Sequence, residues 1–232
     1  MKDKKTLAII TARGGSKRIP RKNIKNFLGK PIIAYSIETA INSKLFDEVM
    51  VSTDDKEIAE VAKKYGAKVP FLRSEENSND FATTAEAIEE VLKEYENKSK
   101  KFDIFCCIYP TSPLISLEDL KRGFDLIKNK KFDSVFPIVQ FSYPIQRGLR
   151  LKNNQVKMIW PENKNKRSQD LEEIYHDAGQ FYWMKVNKFI DQKNIFSQNA
   201  GAIILKETQV QDIDNEEDWM LAEIKYKMLN KK

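Results

Sequence analysis

The sequence predicts an α/β protein with a mostly parallel sheet and helices on both faces. Three observations carry this prediction. Apolar runs alternate with amphipathic segments of helical length through the first 140 residues, the pattern of successive β-α-β units. The run at 102–109 (FDIFCCIY) is nearly continuous in apolar residues, as in a strand buried on both faces. The run at 6–12 (TLAIITA) empties into a loop with paired glycines, and sheets of this kind carry ligands at the carboxyl ends of their strands.

In chain order, 6–12 is a strand and 31–42 a helix with Pro31 in its first turn, where a missing N–H does no harm. Residues 48–53 form a strand ending in Asp54-Asp55, and 56–65 a helix stopped by Gly66. A short strand at 67–72 and a helix at 84–95 follow. The strand at 102–109 is broken by Pro110-Thr-Ser-Pro113, and helix 117–128 and strand 134–140 complete the alternation. Beyond 140 the pattern changes. Residues 143–158 read as a hairpin with Asn153-Asn154 at the turn, 163–174 as polar loop, 178–186 and 201–206 as strands, and 216–229 as a terminal helix. No repeat or linker interrupts the chain. It reads as one domain, 1–232, with a β-rich insertion at about 141–175 of the kind that serves a partner subunit or covers a substrate.

With 232 residues, 41% hydrophobic and 32% charged, the chain is expected to be a soluble globular protein. Nothing approaches a run of ~18 apolar residues, and the first six residues lack a signal-peptide pattern, so the expected location is the cytoplasm, away from membranes. The single histidine, His176, excludes histidine-rich zinc sites. The neighbours Cys106 and Cys107 point to opposite faces of their strand and read as two small hydrophobes in a reduced protein.

The net charge of +6 is concentrated between residues 13 and 25, where Arg13, Lys17, Arg18, Arg21, Lys22 and Lys25 stand without a carboxylate. Gly14 and Gly15 allow backbone amides to approach a ligand, and amides with Lys and Arg suit a polyphosphate. The spacing fits neither G-x-x-x-x-G-K-[ST] nor G-x-G-x-x-G. A solvated basic loop, or a patch with nonspecific affinity for nucleic acid, is the plainer reading. Its position after a buried strand, and the modest overall charge, favour an anionic small molecule.

Gln211-Asp-Ile-Asp214 is the second signal. If 211–213 continue a strand, Asp212 and Asp214 project to one side while Ile213 enters the core. Two carboxylates suit Mg²⁺, which fills its other positions with phosphate oxygens and water. Asp214 also suits the N-cap of the last helix, with Glu217 completing a capping box. Ser168, His176 and a nearby acid do not make a hydrolytic triad, because the serine lacks its elbow motif. Arg167, Arg147 and Arg150 could pair with a substrate carboxylate, with plain surface charge the preferred reading for Arg150.

The run from Ala12 to Asn23, with Gly29-Lys-Pro31, Tyr109-Pro-Thr-Ser-Pro113, Arg167-Ser-Gln-Asp170 and Gln211-Asp-Ile-Asp214, resembles the CMP-sialic acid synthetase family of cytidylyltransferases over almost the whole chain. The segments 69–73, 175–183 and 211–214 are most similar to its branch that activates pseudaminic acid. The resemblance implies a nucleotide-diphospho-sugar transferase-like fold, a homodimer, Mg²⁺ as cofactor, and attack of a nine-carbon 2-keto sugar acid on CTP. By the same resemblance, Ala12, Arg13, Gly14, Gly15, Ser16, Lys22 and Asn23 hold CTP, together with Arg73 and Thr83 of the 80–84 segment. Asp212 and Asp214 hold the metal. Arg167, Gln169, Tyr175, His176 and Gln180 contact the sugar. Arg13, Lys22, Asp212 and Asp214 are the catalytic set.

Two departures narrow the substrate. Ala178-Gly-Gln-Phe-Tyr-Trp183 stands where the sialic-acid branch typically has an Asn-Gly-Ala-type segment. Tyr109-Pro-Thr-Ser-Pro113 carries no acid where Kdo-activating relatives have a metal ligand. The competing readings are a legionaminate or N-acetylneuraminate cytidylyltransferase, and a catalytically silent nucleotide-binding relative on the same fold.

Overall fold

The computed structural model describes residues 4–129 and 131–230. Strands β1 (Thr6–Thr11), β4 (Glu48–Ser52), β5 (Ile104–Ile108), β6 (Ser134–Gln140), β10 (Phe181–Lys185) and β11 (Ala200–Leu205) form the main sheet in the order β11-β6-β10-β5-β1-β4. A short strand β9 (Tyr175–Asp177) pairs with β6. Two small ribbons complete the strands: β2 (Asn26–Phe27) with β3 (Lys30–Pro31), and β7 (Leu149–Lys152) with β8 (Gln155–Met158). Among the long strands β10 alone is reversed, antiparallel to both β5 and β6. The mostly parallel sheet is therefore as expected, but not the direction of β10.

The helices are α1 (Ile32–Ser43), α2 (Lys56–Lys64), α3 (Thr84–Asn97), α4 (Leu117–Asn129), α5 (Val186–Gln192) and α6 (Glu216–Leu229). Alternation along β1 divides the core. Ala8 and Ile10 pack with Ile33, Ile58 and Leu120 on one face, and Leu7 and Ile9 with Ile88, Val91 and Phe189 on the other. Cys106 and Cys107 are fully buried on these opposite faces, and burial pushes the Cys107 thiol up to about 12. Both behave as apolar core atoms.

Two expectations are corrected here, and one helix is added. Residues 67–72 do not form a strand; only Lys68 bridges to Met50, and Pro70, which has no N–H, cannot extend the ladder. Helix α5 was not foreseen, since seven residues are too few to show a helical period. Residues 143–148 make a 3-10 turn before the hairpin, whose turn falls at Asn153 and Asn154 as expected, both in the left-handed region (φ 49° and 60°).

From β1 the chain moves to one side for β4 and then to the other for β5, so a crevice opens at the carboxyl ends of β1 and β5. A third cluster builds its wall. Ile19 from the basic loop packs with Phe27, Tyr35, Ile213 and Trp219, which fastens the loop to the 211–214 segment and α6. The Phe27 and Trp219 rings meet edge to face at 5.5 Å.

The loop is also held from the β4 side. Arg21 grips Asp55 at 2.5 and 2.9 Å, and Asp55 caps α2 by accepting from Ile58 N at 2.9 Å. The Arg21 hydrogen bond first, and then the cap, hold the Asp55 carboxyl down at about 2. A depressed folded value contributes stability that is present above the ordinary carboxylate range and lost as pH falls toward 2. Asp55→Asn should therefore cost about 1–2 kcal/mol at neutral pH, allowing for partial solvent screening. The deficit should shrink between about pH 5 and 2, as followed by urea unfolding across that range.

Candidate active site

A cleft of about 560 Å³ lies at the carboxyl ends of β1 and β5. The basic loop lines it with Arg13, Ser16, Lys17, Arg18, Lys22 and Asn23; Arg73, Tyr109 and Thr83 form other walls, and Asp212 stands across from them. Ala12 continues β1 beneath it, buried, with its N–H on Ser52 O at 2.9 Å. Asn23 is buried and donates to Arg13 O at 2.9 Å, closing the loop on itself.

The two glycines differ. Gly14 N donates to Asp54 Oδ1 at 2.9 Å, so the amide expected to face a phosphate is already taken. A Cβ there would lie 2.9 Å from Asp55 Oδ2, so a larger residue would have to displace the carboxylate that Arg21 holds. Gly15 faces open space, with nothing within 4 Å of where its Cβ would be. Two of the six cations turn away from the cleft: Arg21 toward Asp55 and Glu57, and Lys25 toward Glu216 at 2.6 Å. Arg13 lies 3.0 Å from Asp80 Oδ1, and Lys17 pairs with the same carboxylate, which draws the 79–80 segment over the opening.

Arg73 is 8% exposed, donating to Ser52 Oγ at 2.9 Å and Ser52 O at 2.6 Å. Burial lowers its pKa, with Asp54 and Glu90 opposing. Its fork is thus set by β4 before any ligand arrives. Thr83 caps α3 in a reciprocal capping box with Glu86.

Opposite the loop, Ile213 is 1% exposed and enters the core as expected, but 211–213 is extended coil, not strand. The cap of α6 is Asn215 with Asp218, not Asp214 with Glu217, because it is the Asn215 side chain that accepts from Glu217 N and Asp218 N. Asp214 is thereby released to face the loop, where Arg18 Nη2 lies 2.6 Å and Lys22 Nζ 3.9 Å from its Oδ1. Lys22 Nζ also donates to Ile213 O at 2.6 Å. Burial lowers the Lys22 pKa while Asp214 and Asp212 hold it up. Burial, and then the Asp214 charge, push the Asp212 carboxyl above its ordinary range. Two neighbouring carboxylates that share one lysine fit a dication completed by phosphate and water. Among the described residues there is no cluster of three or more His, Cys, Asp or Glu placed to hold a metal ion.

A second cavity of about 460 Å³ adjoins the first, and Tyr109 and Asp212 line both. His176 lines it, with Nδ1 2.9 Å from Asp177 O. The other residues expected on the sugar side do not reach either cavity. Gln180 is 3% exposed, and its amide is spent on Gln209 O at 2.6 Å. Tyr175 donates to Glu173 at 2.8 Å, Arg167 grips Asp170 at 2.8 and 3.0 Å, and Gln169 lines a separate cavity beside Phe141. Arg147 holds Ser168 Oγ and Lys166 O and so braces this loop. Sequence reasoning missed Tyr109, Asp177 and Lys225 in the cavity walls. Tyr109 had a signal, since it ends a buried strand at a Tyr-Pro break. Lys225 had none, being one of two lysines on the terminal helix with nothing in its neighbours to set it apart.

A doubly wound sheet with a cationic, carboxylate-edged cleft at its switch point defines an α/β nucleotide-using protein. The chain belongs to the cytidylyltransferase family: the family model described as Cytidylyltransferase matches residues 7–230. It is 44% identical over 225 residues to a pseudaminic acid cytidylyltransferase of Campylobacter jejuni, covering 97% of both chains. It is 35% identical to a CMP-N,N'-diacetyllegionaminic acid synthase of Legionella pneumophila, covering 94% of both. Among solved structures, CMP:2-keto-3-deoxy-manno-octonic acid synthetase complexed with CTP superposes with a TM-score of 0.68 at 18% identity. The match covers 97% of this chain and 98% of that one, and shares the nucleotide-diphospho-sugar transferase-like fold. No helix among the described residues is long and apolar enough to cross a membrane.

Proposed function

We propose that this protein is a pseudaminic acid cytidylyltransferase, catalysing CTP + pseudaminic acid → CMP-pseudaminic acid + diphosphate. The observation that carries the reading is the pair of cavities meeting at Asp212, one cationic and sized for a nucleoside triphosphate, the other beside His176. The 44% identity to the Campylobacter enzyme supports the choice of sugar over the legionaminate alternative at 35%.

In this reading CTP lies in the first cavity, with its phosphates among Arg13, Ser16, Arg18, Lys22 and the open Gly15, and its nucleoside toward Arg73 and Thr83. The sugar lies in the second. Its anomeric hydroxyl attacks the α-phosphorus in line and gives up its proton to water, the bond from that phosphorus to the bridging oxygen of the β-phosphate breaks, and diphosphate leaves with the electron pair. Arg13 and Lys22 stabilise charge on the leaving group, and positioning supplies much of the acceleration. Mg²⁺ on Asp212 and Asp214 would supply Lewis-acid polarisation of the phosphate. The enzyme acts in the cytoplasm on soluble substrates.

A homodimer joined through the hairpin belongs to the same proposal. One face of the β7–β8 ribbon exposes Leu149, Leu151 and Val156, each more than half exposed. A lone two-stranded ribbon has little stability of its own, and an apolar face of this kind marks an interaction surface. A dimer would also give Arg167, Gln169 and Tyr175 a partner's site to reach.

Pyrophosphate release with CTP, Mg²⁺ and a panel of pseudaminic, legionaminic and N-acetylneuraminic acids tests the function, with sedimentation of the same sample reporting the dimer. Turnover is expected with pseudaminic acid at least ~10-fold above the others, a discrimination typical of differences in buried polar contacts. Equal or better turnover with another acid would overturn the choice of sugar. CTP binding without release would favour the silent relative.

A further inference from the structure

The second cavity raises a charge problem. A 2-keto sugar acid carries its carboxylate on the anomeric carbon itself, one bond from the oxygen that must attack. That carboxylate must therefore approach Asp212 and a triphosphate, all of one sign. In the first cavity Arg18 and Lys22 already face Asp214, and Arg13 and Lys17 face Asp80. Among the described residues lining the second cavity, Lys225 is the sole Lys or Arg, beside the acids Asp177, Glu207 and Asp212.

Lys225 projects from α6, half-buried. Its ammonium donates to Val210 O at 2.7 Å and Gln211 Oε1 at 3.0 Å. An ammonium has three donors, and these bonds occupy two. Gln211 in turn donates to Asp212 O at 3.0 Å, so the same lysine props the segment that presents Asp212. Burial lowers the Lys225 pKa, with Glu207 opposing, so the group is partly stripped of water and responsive to an added anion.

Resting on the proposed reaction, we infer that Lys225 binds the carboxylate of the incoming sugar acid with its third donor and neutralises it beside Asp212. It is a specificity residue for an α-keto acid sugar as against a neutral one. A merely structural lysine, holding α6 to 210–211, would affect both substrates alike.

The test compares wild type, Lys225→Gln and Lys225→Arg in pyrophosphate release, using pseudaminic acid and its methyl ester, with CTP binding measured by calorimetry. Loss of a charge-assisted bond to a carboxylate predicts a KM for the acid at least ~10-fold higher in the Gln variant, with the KM and Kd for CTP within ~2-fold of wild type. The Arg variant should recover most of the loss. Wild type should prefer acid to ester, and the Gln variant should lose that preference. Parallel loss of CTP and sugar use, or undiminished preference for acid over ester, would overturn the inference while leaving the reaction intact. Wild type that binds CTP but turns over no sugar acid would overturn the proposed reaction, and this inference with it.

Discussion

Asp212→Asn is expected to lower kcat by at least ~100-fold at saturating Mg²⁺ while leaving the fold as stable as wild type or more so. Asp212 stands where the two cavities meet, so it borders both the α-phosphate and the attacking oxygen in the proposed reaction. Its pKa is raised by burial and then by Asp214, with Lys22 and the Ile213 backbone amide opposing. A raised carboxylate is a group whose ionised form the fold disfavours, so the ionised state costs stability at neutral pH. Asparagine keeps the shape and removes that cost together with the charge. Steady-state kinetics and thermal unfolding of one preparation check both halves. Turnover near wild type would remove Asp212 from the reaction. Lost activity accompanied by a lower Tm would reassign it to structure.

Lys22→Ala is expected to lower kcat/KM for CTP by at least ~100-fold, more than it changes the KM for the sugar. Lys22 joins both halves of the site, donating to Ile213 O at 2.6 Å and facing Asp214 at 3.9 Å. Removing it leaves Asp212 and Asp214 with less opposing charge and unties the loop from the 211–214 segment. Arg18, more exposed and 2.6 Å from Asp214, can replace part of the charge but not the tether. Lys22→Arg should therefore retain more activity than Lys22→Ala. Unchanged CTP kinetics in the Ala variant would refute the role.

The parts of the fold that were legible share a cause: each is written in a local signal. Helix 216–229 and strand 134–140 appear at the expected residues because a run of acids opens the one and polar residues bound the short apolar run of the other. Ile213 was legible for the same reason, as an apolar residue between two acids. The reversed β10 was not, since strand direction depends on the path of the connection and leaves no mark on the strand itself. Nor was α5, where seven residues are shorter than two helical turns.

For the site, residue type and position after β1 were enough to mark Arg13 and Lys22 in a ligand loop and Asp212 with Asp214 as paired acids, while Ser16, Asn23 and Arg73 were implied by the resemblance and line the same cleft. What the residue types could not reveal is which of several eligible partners each group takes. Six cations in one loop look alike in sequence, yet Arg21 and Lys25 are drawn off by Asp55 and Glu216, which lie far along the chain and near in space. Gly14 gives its amide to Asp54, and Gln180 gives its side chain to Gln209. Asn215 takes the cap of α6 and releases Asp214. Propensity, burial and charge act over a few neighbouring residues, so the chain alone determined an α/β sheet, a strongly cationic loop and a paired-acid segment. Hydrogen bonds and ion pairs form between groups brought within about 3–4 Å by the whole fold, so only the tertiary structure decided which of those groups were left free to face a substrate.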